Sequence, residues 1–530
     1  MNRLTPHMLT SKTGMAISPH PLATAAGVDV LARGGNAVEA TIAMSAVLTV
    51  VAPHFTGLGG DAFWLVADGT GGVRALSGIG QAARTRPALV GGGFAVRGPQ
   101  SASTTAAAVD VWDRAWQWSR AWGGRFTWGD LLEAAVANAA RGVPVSRSQA
   151  FWYEFRAAEQ AAWPGFGAAF LPTGRTPVAG ETMRLPQLAA TLAHLARHGA
   201  RDFYEGELAA RVARGLQAAG SPLSAADLAA TRAREEAPLR QPYRRVELLT
   251  LAPPTQGVST LQAMALLERF DVAALGESSA DHLHLMVEAI KQAFIERDRL
   301  VADPEFASVP LQQMLDPVHL DALARRVDLQ HALPWPQPWR HGDTVYLAAA
   351  DRAGRAVSAL QTIYYDWGSG TVAGDTGILW HNRGAAFSPL AGHPNGWAPG
   401  KRPFHTLNPG MALEGGQVRW LYGTQGADGQ PQTLVALLTR LIDFGLDPAQ
   451  ALARPRFLLG STFSDVAHNL KIEADAGEDV LEALAQRGHL LRALPARSPL
   501  AGQAGIIDIG ADGSFRGAHD PRGEGCAGAP

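Results

Sequence analysis

The segment Pro334-Trp335-Pro336-Gln337-Pro338-Trp339 places a proline at every second position. Each proline lacks an N–H donor, fixes its own φ and pushes the preceding residue out of the helical region. Helix cannot cross such a stretch, and an extended segment is expected. The run divides two textures. Before it, over about 106–329, helical periodicity dominates. Leu188, Leu192 and Leu195 share a face that ends at Gly199, and Leu283, Met286, Ile290 and Phe294 form another. Both stripes read as core packing. After it, 345–350 and 356–365 read as strands joined by an Arg352-Ala353-Gly354 turn, and 418–422 as a third. The loop Gly423-Thr424-Gln425-Gly426-Ala427-Asp428-Gly429 then leads into an amphipathic helix with Leu434, Leu437, Leu438 and Leu441, closed by Gly445. Near the N-terminus, 23–33 reads as a helix stopped by Gly34-Gly35. Asn36 is placed to cap a second helix bearing Val38, Ile42 and Ala46, and 62–67 reads as a buried strand. A sheet layered between helices fits this order.

The chain has 530 residues, 47% of them apolar and 18% charged, so a large core is available and wholesale disorder is excluded. Net charge is −2, without the basic excess of a nucleic-acid binder. Cys526 is the one cysteine, which excludes an intrachain disulfide and cysteine-rich metal centres and fits a reducing compartment. The first residues lack the basic start and apolar run of a signal peptide, and the apolar stretch at 43–53 is too short for a bilayer. A cytoplasmic protein without membrane or nucleic-acid partners is expected.

Three familiar motifs fail on context. Gly78-Ile79-Gly80-Gln81-Ala82-Ala83 fits a relaxed dinucleotide pattern, but Thr85-Arg86-Pro87 follows where a helix should open. His282 and His284 stand two apart on a helical pattern and face different sides, and no HExxH pair occurs. No GxSxG elbow is present. Neither a metal nor an organic cofactor is expected.

The chemistry points to His341-Gly342-Asp343-Thr344-Val345-Tyr346 and the following Leu360-Gln361-Thr362-Ile363-Tyr364-Tyr365-Asp366-Trp367-Gly368-Ser369-Gly370. If the Asp343–Thr344 bond is cut, Thr344 gains a free α-amine beside its own hydroxyl. That amine, with an ordinary pKa of about 7.7–8.0, can take the hydroxyl proton near neutral pH. On spacing alone, Thr344 could equally be a plain strand start.

Over nearly its full length the chain resembles the γ-glutamyltransferase family of N-terminal nucleophile hydrolases. The resemblance rests on Pro19-His20-Pro21-Leu22-Ala23, Gly34-Gly35-Asn36-Ala37-Val38-Glu39-Ala40, Gly57-Leu58-Gly59-Gly60-Asp61 and Asp202-Phe203-Tyr204-Glu205-Gly206. It continues through Pro253-Pro254-Thr255-Gln256-Gly257, Gly400-Lys401-Arg402-Pro403, Ile442-Asp443-Phe444-Gly445-Leu446 and Arg454-Pro455-Arg456-Phe457. It implies an α+β fold, a four-layer αββα sandwich built by both halves of a self-cut proenzyme. Residues 1–343 would be the large subunit and 344–530 the small one. Thr344 would be the nucleophile, Thr362 would support it, and Gly426-Ala427 would replace the family's Gly-Gly oxyanion hole. Pro431 would suit the first position of the following helix, whose N-terminus adds positive potential.

Departures from the transferases share one direction. The stretch Leu76-Ser77-Gly78-Ile79 lacks the family's carboxylate-gripping arginine, and Ala386 stands where the family places the acid that holds an α-ammonium. Arg383 enters the pocket wall, the serine pair becomes His405-Thr406, and Tyr364 replaces an asparagine. Tyr364 and His405 should shrink the cavity. Arg383 would grip a substrate carboxylate, the alternative being a structural ion pair. Within the family, Tyr364-Tyr365-Asp366-Trp367-Gly368-Ser369-Gly370, His381-Asn382-Arg383-Gly384-Ala385, Phe404-His405-Thr406-Leu407-Asn408-Pro409 and Asp428-Gly429-Gln430-Pro431-Gln432-Thr433 look like the branch containing oxamate amidohydrolase, which implies hydrolysis of oxamate to oxalate and ammonia. A γ-glutamyltransferase or glutathione hydrolase, an acylase for larger amides and an uncleaved binding protein stand as alternatives. A homo-oligomer of the processed heterodimer is left open.

Overall fold

Strand residues point alternately to opposite faces, and in the strand that opens at Asp343 both faces are buried. Val345, Leu347 and Ala349 join one core, while Tyr346, Ala348 and Ala350 join another. The computed structural model describes residues 3–5, 7–335, 342–462 and 465–530. Of the proline-rich segment, Pro334 and Trp335 adopt neither helix nor strand, and the expected extended run at 336–339, with His341, lies outside the described residues.

Two antiparallel sheets carry the fold. Their strands are β1 (Arg3–Thr5), β2 (Leu9–Ser11), β3 (Gly14–Ser18), β4 (Asp61–Asp68), β5 (Val73–Gly78), β6 (Arg234–Glu236), β7 (Leu239–Tyr243), β8 (Val246–Thr250), β9 (Asp343–Asp351), β10 (Arg355–Tyr364), β11 (Gly410–Glu414), β12 (Gln417–Thr424), β13 (Ala504–Ile509), β14 (Phe515–His519) and β15 (Cys526–Ala529). The eight-stranded sheet runs β1-β15-β3-β9-β10-β4-β5-β6, and the seven-stranded sheet runs β7-β8-β11-β12-β13-β14-β2. Helices α1 (Pro21–Ala32), α2 (Ala37–Val51) and α3 (Ala108–Ala121) cover the first sheet; α4 (Gly257–Leu267), α5 (Ala280–Leu300) and α6 (Gly429–Ile442) cover the second.

Three cores separate these four layers. One lies between the first sheet and its helices, joining Val47 and Leu48 to Trp64 and Leu347. A second packs Leu248, Ala412 and Tyr422 against Leu261, Met286 and Leu434. The third, between the sheets, holds Ile17, Tyr346, Leu360, Leu421 and Ile507. The αββα sandwich expected from the sequence is the observed fold. The sheets approach closely at Tyr346: a Cβ on Gly423 would lie 2.2 Å from its ring, so a side chain there would push the layers apart.

Helix α6 departs from the amphipathic expectation, since all 14 of its residues are buried. Its Arg440 enters the interior beside Glu277, with Nε 2.8 Å from the carboxylate. Strands β6 to β8 interrupt the region read as helical, where charged residues such as Arg234, Glu235 and Glu236 mask the alternation. No helix among the described residues is long and apolar enough to cross a membrane.

The expected cap at Asn36 is a full capping box. Asn36 Oδ1 accepts from Glu39 N–H at 3.0 Å, and Glu39 Oε2 accepts from Asn36 N–H at 2.9 Å. Asn36 Nδ2 also donates to Ser119 at 2.7 Å, tying α2 to α3. Replacing Asn36 with alanine should cost about 1–2 kcal/mol, read as a lower urea midpoint.

Candidate active site

Strand β9 enters its sheet through an irregularity. Asp343 pairs with Tyr364 and Val345 with Gln361, and the register shifts between them. A bulge re-aims the residue it contains, and that residue is the buried Thr344. Thr362, two residues before the end of β10, reaches across to it. Its hydroxyl donates to the Asp343 carbonyl oxygen at 2.5 Å and accepts from Tyr364 N–H at 2.7 Å. Tyr364 adopts φ +79°, a left-handed conformation rare for a bulky residue. The Thr362 hydroxyl therefore polarises the carbonyl of the Asp343–Thr344 bond and is itself strengthened as a donor by the N–H behind it.

On the other sheet, β12 ends at Thr424 and α6 begins at Gly429. Between them Gly426 and Ala427 take φ +118° and +47°. Alanine in the left-handed region costs about 1–2 kcal/mol, and the surrounding bonds hold it there. Gly429 N–H donates to Gly426 O at 2.7 Å and Gln430 N–H to Ala427 O at 3.0 Å. Gln256 Nε2 donates to the carbonyls of Ala427 and Thr406 at 2.8 and 2.7 Å, and Arg297 fixes Gln256 Oε1 at 2.8 Å. Arg297 also pairs with Asp428 at 3.0 Å. Neither Gly426 N–H nor Ala427 N–H has a hydrogen-bond acceptor among the described residues. The chain before Asp343 passes this loop: a Cβ on Gly342 would lie 3.1 Å from the Tyr364 ring and 3.2 Å from Ala427 Cβ. Pro431 is the third residue of α6, not the first, because the tight turn at Gly426 starts the helix two residues earlier. Its missing N–H still falls among the first-turn donors that lack helical partners. Gln430 Nε2 lies 3.5 Å from Thr344 Oγ.

Arg383 opens a short 3-10 turn, Arg383–Ala386, and is fully buried with its guanidinium carbon 3.5 Å from the Tyr364 ring centre. Tyr364 stacks on Tyr365 at 4.4 Å. Arg383, Tyr364, Thr362 and Thr344 thus form one contiguous wall. His405 is buried beside Asp61, with Nε2 3.3 Å from Oδ2, while its Nδ1 accepts from Leu407 N–H at 3.3 Å. Burial pushes the His405 imidazole down to about 3, and the Arg383 cation adds to the fall. His405 is therefore neutral near pH 7 and donates from Nε2. Burial alone would raise the Asp61 carboxyl, but His381 and His405 hold it well below the usual carboxylate range. Thr406 meets the loop through its carbonyl on Gln256. Burial lifts the Asp343 carboxyl well above its ordinary range, and nearby Asp366 adds to the rise. Asp366 is gripped by Arg156 at 2.7 and 2.9 Å and by Arg97 at 2.9 Å.

A cavity of about 740 Å³ opens beside this wall, lined by Asp343, Val345, Gln425, His54, Phe55 and Trp152 among others. Arg383, Tyr364, His405 and Thr406 do not line it. One group of ligand-type side chains comes together among the described residues, His284, Glu288 and His489. These atoms already serve each other: His284 Nδ1 meets His489 Nε2 at 2.8 Å, and Lys291 Nζ donates to Glu288 at 2.7 Å. His282 turns away to Thr439.

Two facing antiparallel sheets enclosed by helices are the fold of the N-terminal nucleophile hydrolases. A sequence model described as Gamma-glutamyltranspeptidase matches residues 23–529, and the chain belongs to that family. It is 41% identical over 522 residues to the oxamate amidohydrolase proenzyme of Klebsiella pneumoniae, covering 98% of each chain. It is 39% identical over 517 residues to the glutathione hydrolase-like YwrD proenzyme of Bacillus subtilis, covering 97% of this chain and 98% of that one. The solved cephalosporin acylase of Bacillus halodurans superposes with a TM-score of 0.90 at 30% identity, over 99% of this chain and 97% of that chain.

Several residues that shape the site had no role on sequence grounds. Gln256 and Asp61 stand inside the family words quoted above, but only the fold shows what they bond. Asp366 stands inside the stretch quoted after Thr344 without an assigned role, and Arg297, Arg97 and Arg156 carry no local signal at all. The His405 shift has a testable sign. A folded pKa of about 3 lies below the unfolded value of about 6.5. The unfolded chain therefore takes the proton first, and stability present above pH 6.5 is lost as pH falls toward 3. Replacing His405 with asparagine should reduce the slope of the unfolding midpoint between pH 6.5 and 4 by about one bound proton.

Proposed function

We propose that the chain is the precursor of an amidohydrolase that cuts itself between Asp343 and Thr344 and then hydrolyses oxamate to oxalate and ammonia. The observation that carries the first half is the Thr362 hydroxyl on the Asp343 carbonyl. Thr344 Oγ attacks that carbon, closing a five-membered ring. The C–N bond breaks, the nitrogen takes up a proton, and an ester forms on Oγ. Water hydrolyses the ester and leaves residues 1–343 and 344–530 as large and small subunits.

In turnover the freed α-amine of Thr344 takes the Oγ proton as Oγ attacks the substrate amide. Gly426 and Ala427 N–H groups, which have no other acceptor among the described residues, receive the oxyanion. The protonated amine passes its proton to the leaving nitrogen, ammonia departs, and water resolves the acyl ester to regenerate Thr344. Arg383 grips the carboxylate with Tyr364 beneath it, and His405 and Thr406 complete the proposed binding residues. The absence of an acid at Ala386, together with similarity to an oxamate amidohydrolase, favours oxamate over a γ-glutamyl substrate. A cytoplasmic location belongs to the same proposal and accords with the single buried cysteine.

Purified protein should release ammonia from oxamate and leave a γ-glutamyl anilide untouched. The opposite result would make it a glutathione hydrolase. Arg383→Lys should raise KM for oxamate by about tenfold or more, because a lysine cannot offer the bidentate fork. Thr362→Val should slow self-cleavage by about 10²–10³, the cost of one lost oxyanion donor in other enzymes. Cleavage at the wild-type rate in that variant would remove Thr362 from the mechanism.

A further inference from the structure

We infer that Gln430, to which neither the family words nor the site motifs assign a role, positions the nucleophile through a directed hydrogen bond to Thr344 Oγ. The inference rests on Thr344 being the nucleophile proposed above.

The direction of this carboxamide is fixed by a neighbour that can only donate. Gln430 Oε1 accepts from the backbone N–H of Asn408 at 3.2 Å. Asn408 is anchored in turn by Nδ2 donating to Thr260 on α4 at 2.7 Å. An N–H cannot face an NH2 group, so the oxygen of Gln430 must lie toward Asn408 and its NH2 toward Thr344 Oγ, 3.5 Å away. Gln430, Asn408, Thr260 and Thr344 are all buried, so water does not compete for the bond. The backbone N–H of Gln430 is separately engaged with Ala427 O at 3.0 Å. The second residue of α6 thus touches both the nucleophile and the proposed oxyanion loop.

A threonine hydroxyl has one proton and two lone pairs. A fixed donor on one lone pair leaves the proton free to point elsewhere. In the uncut chain that arrangement exposes the other lone pair for attack on the Asp343 carbonyl. In the processed enzyme it turns the proton toward the threonine's own α-amine, which must receive it. The donor also favours the negative charge that develops on Oγ as the proton leaves. Gln430 is thus an aligning group for both reactions, without itself exchanging a proton.

Two full-length variants test this. Gln430→Met keeps length and volume but removes the donor. It should slow self-cleavage by about tenfold or more, and lower kcat on oxamate similarly with KM within about twofold. Gln430→Glu keeps the acceptor for Asn408 N–H and sets a carboxylate near the new N-terminus. That charge should raise the α-amine pKa and move the acid limb of the kcat/KM profile up by about one pH unit. A purely structural role would not move that limb. If Gln430→Met fails to fold by circular dichroism, the rate of self-cleavage in Gln430→Glu decides, since a carboxylate should slow it as well. Wild-type cleavage rates in the folded variants, or an unmoved acid limb, would overturn the inference. A wild-type protein that is cut but inert toward oxamate would instead overturn the choice of substrate, with the cleavage rates still deciding Gln430.

Discussion

One hydroxyl joins the two strands on which the site is built. Thr362 on β10 accepts from Tyr364 N–H and donates to Asp343 O on β9. The contact needs the bulge at Thr344 and the left-handed Tyr364. Each of those is a property of the sandwich and not of a loop. Both threonines are thus held by inner strands buried on both sides, which is where positional precision is cheapest to maintain.

The second sheet supplies the complement. Its β12–α6 turn brings Gly426 and Ala427 to the same place with N–H groups that have no acceptor among the described residues. Gln256, Arg297 and Asp428 form a buried chain that holds Ala427 in its unfavourable φ. Strain at one alanine is thereby offset by three directed interactions drawn from the residue before α4, from α5 and from the loop itself. The electrostatics follow the same division. His405 is kept neutral and Asp61 ionised deep in the wall, whereas burial and nearby Asp366 push the Asp343 carboxyl up.

The sequence made the layers legible because β9, β10, α2 and α6 carry strong apolar patterns, and Asn36 announces its helix by chemistry alone. The strands at Arg234–Glu236 and Leu239–Tyr243 were hidden because they are partly exposed, and charge masks their alternation. Thr344 stands out as a strand start after the proline-rich run, whereas Thr362 and the Gly426-Ala427 turn are singled out only by the family resemblance; the structure sets Thr362 on the Asp343 carbonyl and Gln430 beside Thr344. Gln256, Arg297 and Asp366 could not be found, since their roles exist only where distant segments meet. The start of α6 was misplaced by two residues because Pro431 is compatible with any position in a first turn.

The most direct measurement is N-terminal sequencing and intact mass of the purified wild-type protein beside Thr344→Ala. A small subunit beginning Thr344-Val345-Tyr346 in the wild type, with a single uncut chain in the variant, is the predicted result. A wild-type chain that stays whole under all conditions, or a variant cut at the same bond, would contradict the account of Thr344 as a self-released nucleophile.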